Sequence, residues 1–243
     1  MRILIVLLSL LLAHSSYAIE MIGFGSTLGP GSHTFDTNSR VTGSANPLDN
    51  TYTCGAGTTL LVVAIAADAN GSGSNYLRTG GAPTYNSVTM TQAGPTRVYS
   101  TTGEVAVEIF YLIDPPTGSA YTVSIPNTRP NALYVQRSSY KASTGYTSAL
   151  DNVNGGTGVS ANPGVLATTT VNGAVIVGAA GTGHLAGFTA DSHTTLDLTT
   201  IGTAFGEGNQ YYLQATAGEV TLSWTASTDD WAAAVAAFKV VAQ

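Results

Sequence analysis

Four histidines, fourteen acidic groups and one cysteine hold most of the chemistry open to this 243-residue chain. His33, His184 and His193, which follow the apolar leader, stand in no H-x-x-x-H or H-E-x-x-H spacing, so nothing presets two of them for zinc. A glycosidase needs two carboxylates facing across about 5 to 10 Å. Glu104 and Glu108 share one strand face at roughly 13 Å, too far for retaining chemistry. Glu108 interrupts an otherwise apolar face, and reads as a sheet edge open to solvent or as the partner of an arginine such as Arg97 or Arg137. There is no Gly-x-Ser-x-Gly elbow, and Gly178-Ala-Ala-Gly-Thr-Gly-His184 is followed by no helix that could cradle a phosphate.

The remaining reactive groups read as structural. Cys54 is the only cysteine, so the chain has no internal disulfide, and its place just before an apolar run predicts a packed, inert thiol. Lys141 and Lys239 are the only lysines; an isopeptide bond to asparagine would staple the fold, but the motif context is missing and exposed lysine is the default. Calcium is the one metal with an opening, at Asp151-Asn-Val-Asn-Gly-Gly156 and Asp68-Ala-Asn-Gly71, and both segments read more readily as turns. The expectation is a protein without catalytic residues, cofactor or metal.

The elements around these residues are strands. The chain has 35 threonines and 12 tyrosines, only 9% charged residues and a net charge of −6, which excludes a basic nucleic-acid surface, a charged disordered chain and a coiled coil. Thr58 to Ala67 is a continuous apolar run, and Glu104 to Ile113 alternates with apolar residues on both faces; both predict central strands. Tyr121 to Ile125, Ala132 to Tyr140, Thr194 to Ile201, Gln210 to Gln214 and Glu219 to Thr225 follow as strands. Asn172-Gly173 predicts a type I′ hairpin between Ala167–Val171 and Ala174–Gly178. Trp231 to Val241 is ambiguous and is assigned as a closing strand. Stretches 43–53, 68–81 and 152–162 read as loops, and no repeat of fixed period is visible.

Two segments bear on partners. Arg2, the apolar run Ile3 to Ala13 and Ser16-Tyr17-Ala18 have the anatomy of an export signal cut after Ala18, with an apolar stretch shorter than the roughly 20 residues that span a bilayer. The expected location is therefore secreted or on an extracellular surface, with no membrane contact once the leader is gone. Residues 19–28 carry Ile19, Met21, Ile22, Phe24 and Leu28, an arm that adds to a neighbour as a strand or serves as the domain's own first strand. Residues 29–243 are expected to form a single sandwich domain. For glycan recognition the candidate platforms are Tyr146, Tyr211, Tyr212 and Trp231, with Tyr76, Tyr85 and Trp224 behind them, set against core packing as the ordinary reading.

Glu-Ile-Phe-Tyr-Leu-Ile-Asp-Pro-Pro-Thr-Gly at 108–118, Ser-Ser-Tyr-Lys-Ala-Ser at 138–143, Asn-Gly-Ala-Val-Ile-Val-Gly at 172–178 and Trp-Ala-Ala-Ala-Val-Ala-Ala-Phe-Lys at 231–239 resemble uncharacterised jelly-roll-like β-sandwich proteins of bacterial surfaces and phages. The resemblance implies an all-β, two-sheet antiparallel sandwich of jelly-roll type in a surface or virion context, and it supplies no catalytic residue. The expected function is a non-catalytic surface, filament or virion structural protein that assembles with copies or neighbours by strand addition. A carbohydrate-binding module stands second and a secreted glycan-active enzyme third.

Overall fold

Strands that are apolar on both faces need cover on both faces, and that requirement decides the architecture. The structure is a computed structural model that describes residues 30–68, 81–94, 97–127, 133–183, 188–190, 195–201 and 206–243. Among the described residues every regular element is a strand and every pairing is antiparallel. The first half of the chain holds β1 (His33–Gly43), β2 (Leu48–Tyr52), β3 (Leu60–Asp68), β4 (Thr84–Tyr85), β5 (Val88–Thr89), β6 (Thr91–Gln92), β7 (Val98–Tyr99), β8 (Val105–Ile113), β9 (Tyr121–Ile125) and β10 (Leu133–Ala142). The second holds β11 (Tyr146–Ser160), β12 (Gly164–Thr169), β13 (Ala174–Thr182), β14 (Thr189–Ala190), β15 (Thr195–Ile201), β16 (Gly206–Gln214), β17 (Gly218–Thr225) and β18 (Asp229–Ala242).

These strands form four sheets, not the two expected from sequence. An inner sheet β1-β10-β3-β8-β6, with β7 also on β8, is covered by an outer sheet β2-β9-β4-β5. A second inner sheet β11-β18-β13-β16-β15 is covered by β12-β17-β14. The physical reason lies in β3. Its odd residues Leu61, Val63 and Ile65 pack with Tyr52, Tyr85 and Val123 towards one outer sheet, while its even residues Leu60, Val62 and Ala64 pack with Val175, Val177 and Ala236 of the other inner sheet. β13 and β18 are used likewise, with Ile176, Val235 and Ala237 meeting Leu222 and Trp224 in a third core. The order of layers is therefore outer, inner, inner, outer.

The two halves repeat one another in order and in register. Arg40 pairs with Gln136, Gln136 with Ala64, and Ala66 with Val107; in the second half Gly155 pairs with Ala234, Ala234 with Ala179, and Gly181 with Glu207. A shift of 115 positions carries β1 onto β11 and β3 onto β13, whereas 98 carries β10 onto β18 and 100 carries β8 onto β16. Unequal shifts leave no fixed period in the sequence. Ring contacts between the inner sheets are reciprocal under the same shifts. Tyr111 meets Phe238 edge-on at 5.2 Å and Tyr211 meets Tyr140 edge-on at 5.8 Å, as across an interface with a two-fold relation.

Further expectations are corrected. Asn172-Gly173 joins β12 to β13, which lie in different sheets, and only Gly173 has a positive φ. The apolar β13 belongs in the doubly covered layer, so it cannot hairpin back onto β12, which covers it. Asn86 and Ser87, both with positive φ, make the tight hairpin instead, between β4 and β5. Stretch 43–53 contains β2, and most of 152–162 is strand β11.

Candidate functional site

An aspartate sits in a bulge of the first strand of each half, and its surroundings are duplicated. The register of β1 on β10 slips between Phe35 and Thr37, leaving Asp36 as the extra residue; that of β11 on β18 slips between Leu150 and Asn152, leaving Asp151. The bulge turns each carboxylate away from the ladder. Asp36 Oδ2 accepts from Gly55 N (2.8 Å), Thr58 Oγ1 (2.9 Å) and Ser139 Oγ (2.8 Å), and Lys141 Nζ lies 2.7 Å from Oδ1. Asp151 accepts from Thr170 N and Thr170 Oγ1, both at 2.6 Å, with Lys239 Nζ at 3.2 Å. The only two lysines of the chain are thus equivalent, and each ties a bulge to the last strand of its half. Burial pushes both carboxyls upward, but the donors and the ammonium outweigh it and hold each below the ordinary range. An ionised acid beside an ammonium is the opposite of the neutral pair that amide formation needs, so these contacts are ion pairs.

Two further polar groups latch the halves together. His33 Nδ1 donates to Gly173 O (3.1 Å), and its Nε2 lies 3.0 Å from Ser148 Oγ. Burial drives its pKa down to about 4, partly offset by the Gly173 bond, so the ring is neutral. Asp230, at the start of β18, accepts from Thr101 N, Thr102 N and Thr102 Oγ1 of the first half. Burial raises its carboxyl and these bonds more than reverse that. His33 is the one described histidine; His184 and His193 lie outside the described residues.

A cleft of about 620 Å³ opens where β7 and β8 meet β11 and β18. Arg97 Nε donates to Glu108 Oε1 at 2.5 Å on its wall, with Glu108 5% exposed, so the arginine expected beside Glu108 is Arg97. Burial lowers the Arg97 pKa, and Glu108 more than restores it. Arg137 is elsewhere, donating to Thr51 O with its guanidinium 5.6 Å from the Tyr52 ring.

The other candidates are used for packing. Trp231 is 7% exposed and donates to Ser160 Oγ; Tyr211 stacks on Phe35 at 5.0 Å; Tyr212 packs in the third core. Tyr146 is half-buried with its ring against Gly31, and Trp224 and Tyr85 are fully buried. Trp231, Trp224 and Tyr85 are thus buried, while Tyr146, Tyr211 and Tyr212 are half-buried. Tyr76 lies outside the described residues, as do Ile19, Met21, Ile22, Phe24 and Leu28. Of the calcium candidates, Asp151 is committed to Thr170 and Lys239, and 69–71 lies outside the described residues. Among the described residues no three His, Cys, Asp or Glu side chains cluster for a metal.

Cys54 is wholly buried, and burial pushes its thiol up to about 11. Iodoacetamide near neutral pH is expected to leave it unmodified in the native protein and to label it in urea; rapid native labelling would contradict its placement. Compared with known proteins, the chain matches no family model and no curated sequence.

Proposed function

We propose that the protein is a non-catalytic structural component of an extracellular or virion surface, built as two jelly-roll-type sandwiches in tandem and assembling by strand addition. The order of strands supports the jelly-roll reading. Counting β5 and β6 as one strand that passes between sheets and setting β7 aside, the first, eighth, third and sixth strands share the inner sheet, and the second, seventh, fourth and fifth share the outer one. The second half repeats this, except that β15 joins the inner sheet.

The observation that carries the assembly reading is the edge strand β11. It runs 15 residues without proline or lysine, and its single charge, Asp151, is drawn into the bulge. A long edge without blocking charges invites a further strand. The segment 19–28 is an apolar strand donor of suitable chemistry, and an export leader at 1–18 places the mature chain where neighbours cover such edges. Mass photometry and electron microscopy of chains starting at 19 and at 29 test this. Oligomers that disappear with residues 19–28 are expected; a monomer in both forms rejects assembly.

A further inference from the structure

The two ends of the interface between the halves are equivalent by register and opposite in content. At one end, Arg40 and Gln136 lie side by side on β1 and β10, and Glu207 is on β16 of the facing sheet, close enough for the Arg40 charge to act on it. Gln136 and Glu207 are each 1% exposed. The shifts that superpose the halves carry these three positions onto Gly155, Ala234 and Val107. Three long polar side chains are replaced by none, a methyl and an isopropyl group, and the cleft of about 620 Å³ lies there, lined by all three.

The edge strand opens at the same place. β15 follows β16 from Tyr211 to Gly206 with one bulge, whereas β6 and β7 pair with β8 at Phe110–Tyr111 and Ala106–Val107, with Ala93 N also donating to Ile109 O. Glu108 lies between these contacts, and Arg97, just before β7, reaches its carboxylate. A buried ion pair on an apolar strand adds little stability over a hydrophobic pair of the same volume. Val98 packs over Gly155, the rest of the space stays open as the cleft, and the place of the ion pair on its wall indicates a use other than packing.

We propose that this cleft is a binding site for a neutral sugar, a mono- or disaccharide unit of a glycan. The Arg97–Glu108 pair carries no net charge but presents donors and acceptors together, as adjacent sugar hydroxyls require. Thr157 and Tyr99 add polar atoms at the rim, and Val98, Val107 and Ala234 offer an apolar floor for the C–H face of a ring. The volume is within the range of about 300 to 1,000 Å³ usual for small-molecule sites, which favour such interfaces. This site shares no residue with the aromatic platforms expected from sequence.

The test is saturation-transfer NMR on the full chain with neutral hexoses, N-acetylhexosamines and their disaccharides, with a uronic acid as charged control. Arg97→Met and Ala234→Gln, the second restoring the glutamine of the opposite end, are expected to weaken binding about tenfold or more. Thr157→Tyr blocks the rim from an exposed position and serves if a wall variant fails to fold. Absence of transfer to every neutral sugar overturns the proposal. So does binding that survives refilling of the cleft, or binding of the uronic acid alone.

Discussion

Replacing Asp36 by alanine is expected to lower the unfolding free energy by about 3 kcal/mol, and Asp151→Ala by about 2 kcal/mol, read from urea midpoints. Three hydrogen bonds to an ionised acceptor are lost, leaving the Ser139 hydroxyl and the Gly55 amide without this acceptor in a largely buried site, while Thr58 Oγ1 keeps Gly55 O. Asp151 loses two, both to Thr170. Removing the lysines is a different matter. Their side chains are 36% and 32% exposed, so solvent screens the pairs, and Lys141→Met or Lys239→Met is expected to cost less than about 1 kcal/mol. The contrast is the diagnostic part. Equal losses for acid and lysine variants would mean that the ion pair, and not the bulge anchored by it, holds the first strand.

Glu207→Gln is expected to raise stability by about 3 kcal/mol above pH 7 and to change the slope of the pH profile below it. Burial lifts the Glu207 carboxyl from 4.5 to about 7, against opposing pulls from Asn209 and Arg40. Between those values the folded chain keeps a proton that the unfolded chain has released, so this group's stabilisation is complete below 4.5 and is lost as pH rises to about 7. His33 runs the other way. Its pKa falls from 6.5 to about 4, so between them the unfolded chain takes up a proton that the folded chain refuses, and stability is lost as pH falls. The two slopes oppose each other from 4.5 to 6.5, predicting a plateau in the wild type. Glu207→Gln then rises with pH across that window and His33→Gln falls, as urea midpoints at stepped pH would show. Parallel profiles for all three proteins would contradict the burial of both groups.

Much of the strand content was legible because apolar alternation survives in short segments. β8, β9, β15, β17 and β18 lie within a few residues of their expected spans. The number of layers was also written in the sequence, in a form easy to misread. Leu60 to Ala67 is apolar at every position, and a two-sheet sandwich offers each strand only one dry face, so such a run already calls for a third and fourth layer. β1 was hidden by its own bulge, since the extra Asp36 reverses the alternation between Phe35 and Val41. The repeat was hidden by unequal spacing: Asp36 and Lys141 are 105 residues apart, Asp151 and Lys239 only 88. Of the two readings of Glu108, a solvent-open edge or an arginine's partner, the second holds, but the cleft beside it was not visible. It depends on Gly155, Ala234 and Val107 occupying the places of Arg40, Gln136 and Glu207, which only the register reveals.

The central claim is that two equivalent halves meet through their inner sheets, with buried polar residues holding that arrangement. NMR of protein carrying labelled Tyr and Phe rings tests it most directly. Cross-relaxation is predicted between Tyr111 and Phe238 and between Tyr140 and Tyr211, ring pairs 5.2 and 5.8 Å apart on opposite sheets. Absence of both contacts in a folded sample, with Tyr85 and Tyr121 still giving theirs inside the first half, would contradict the four-layer account.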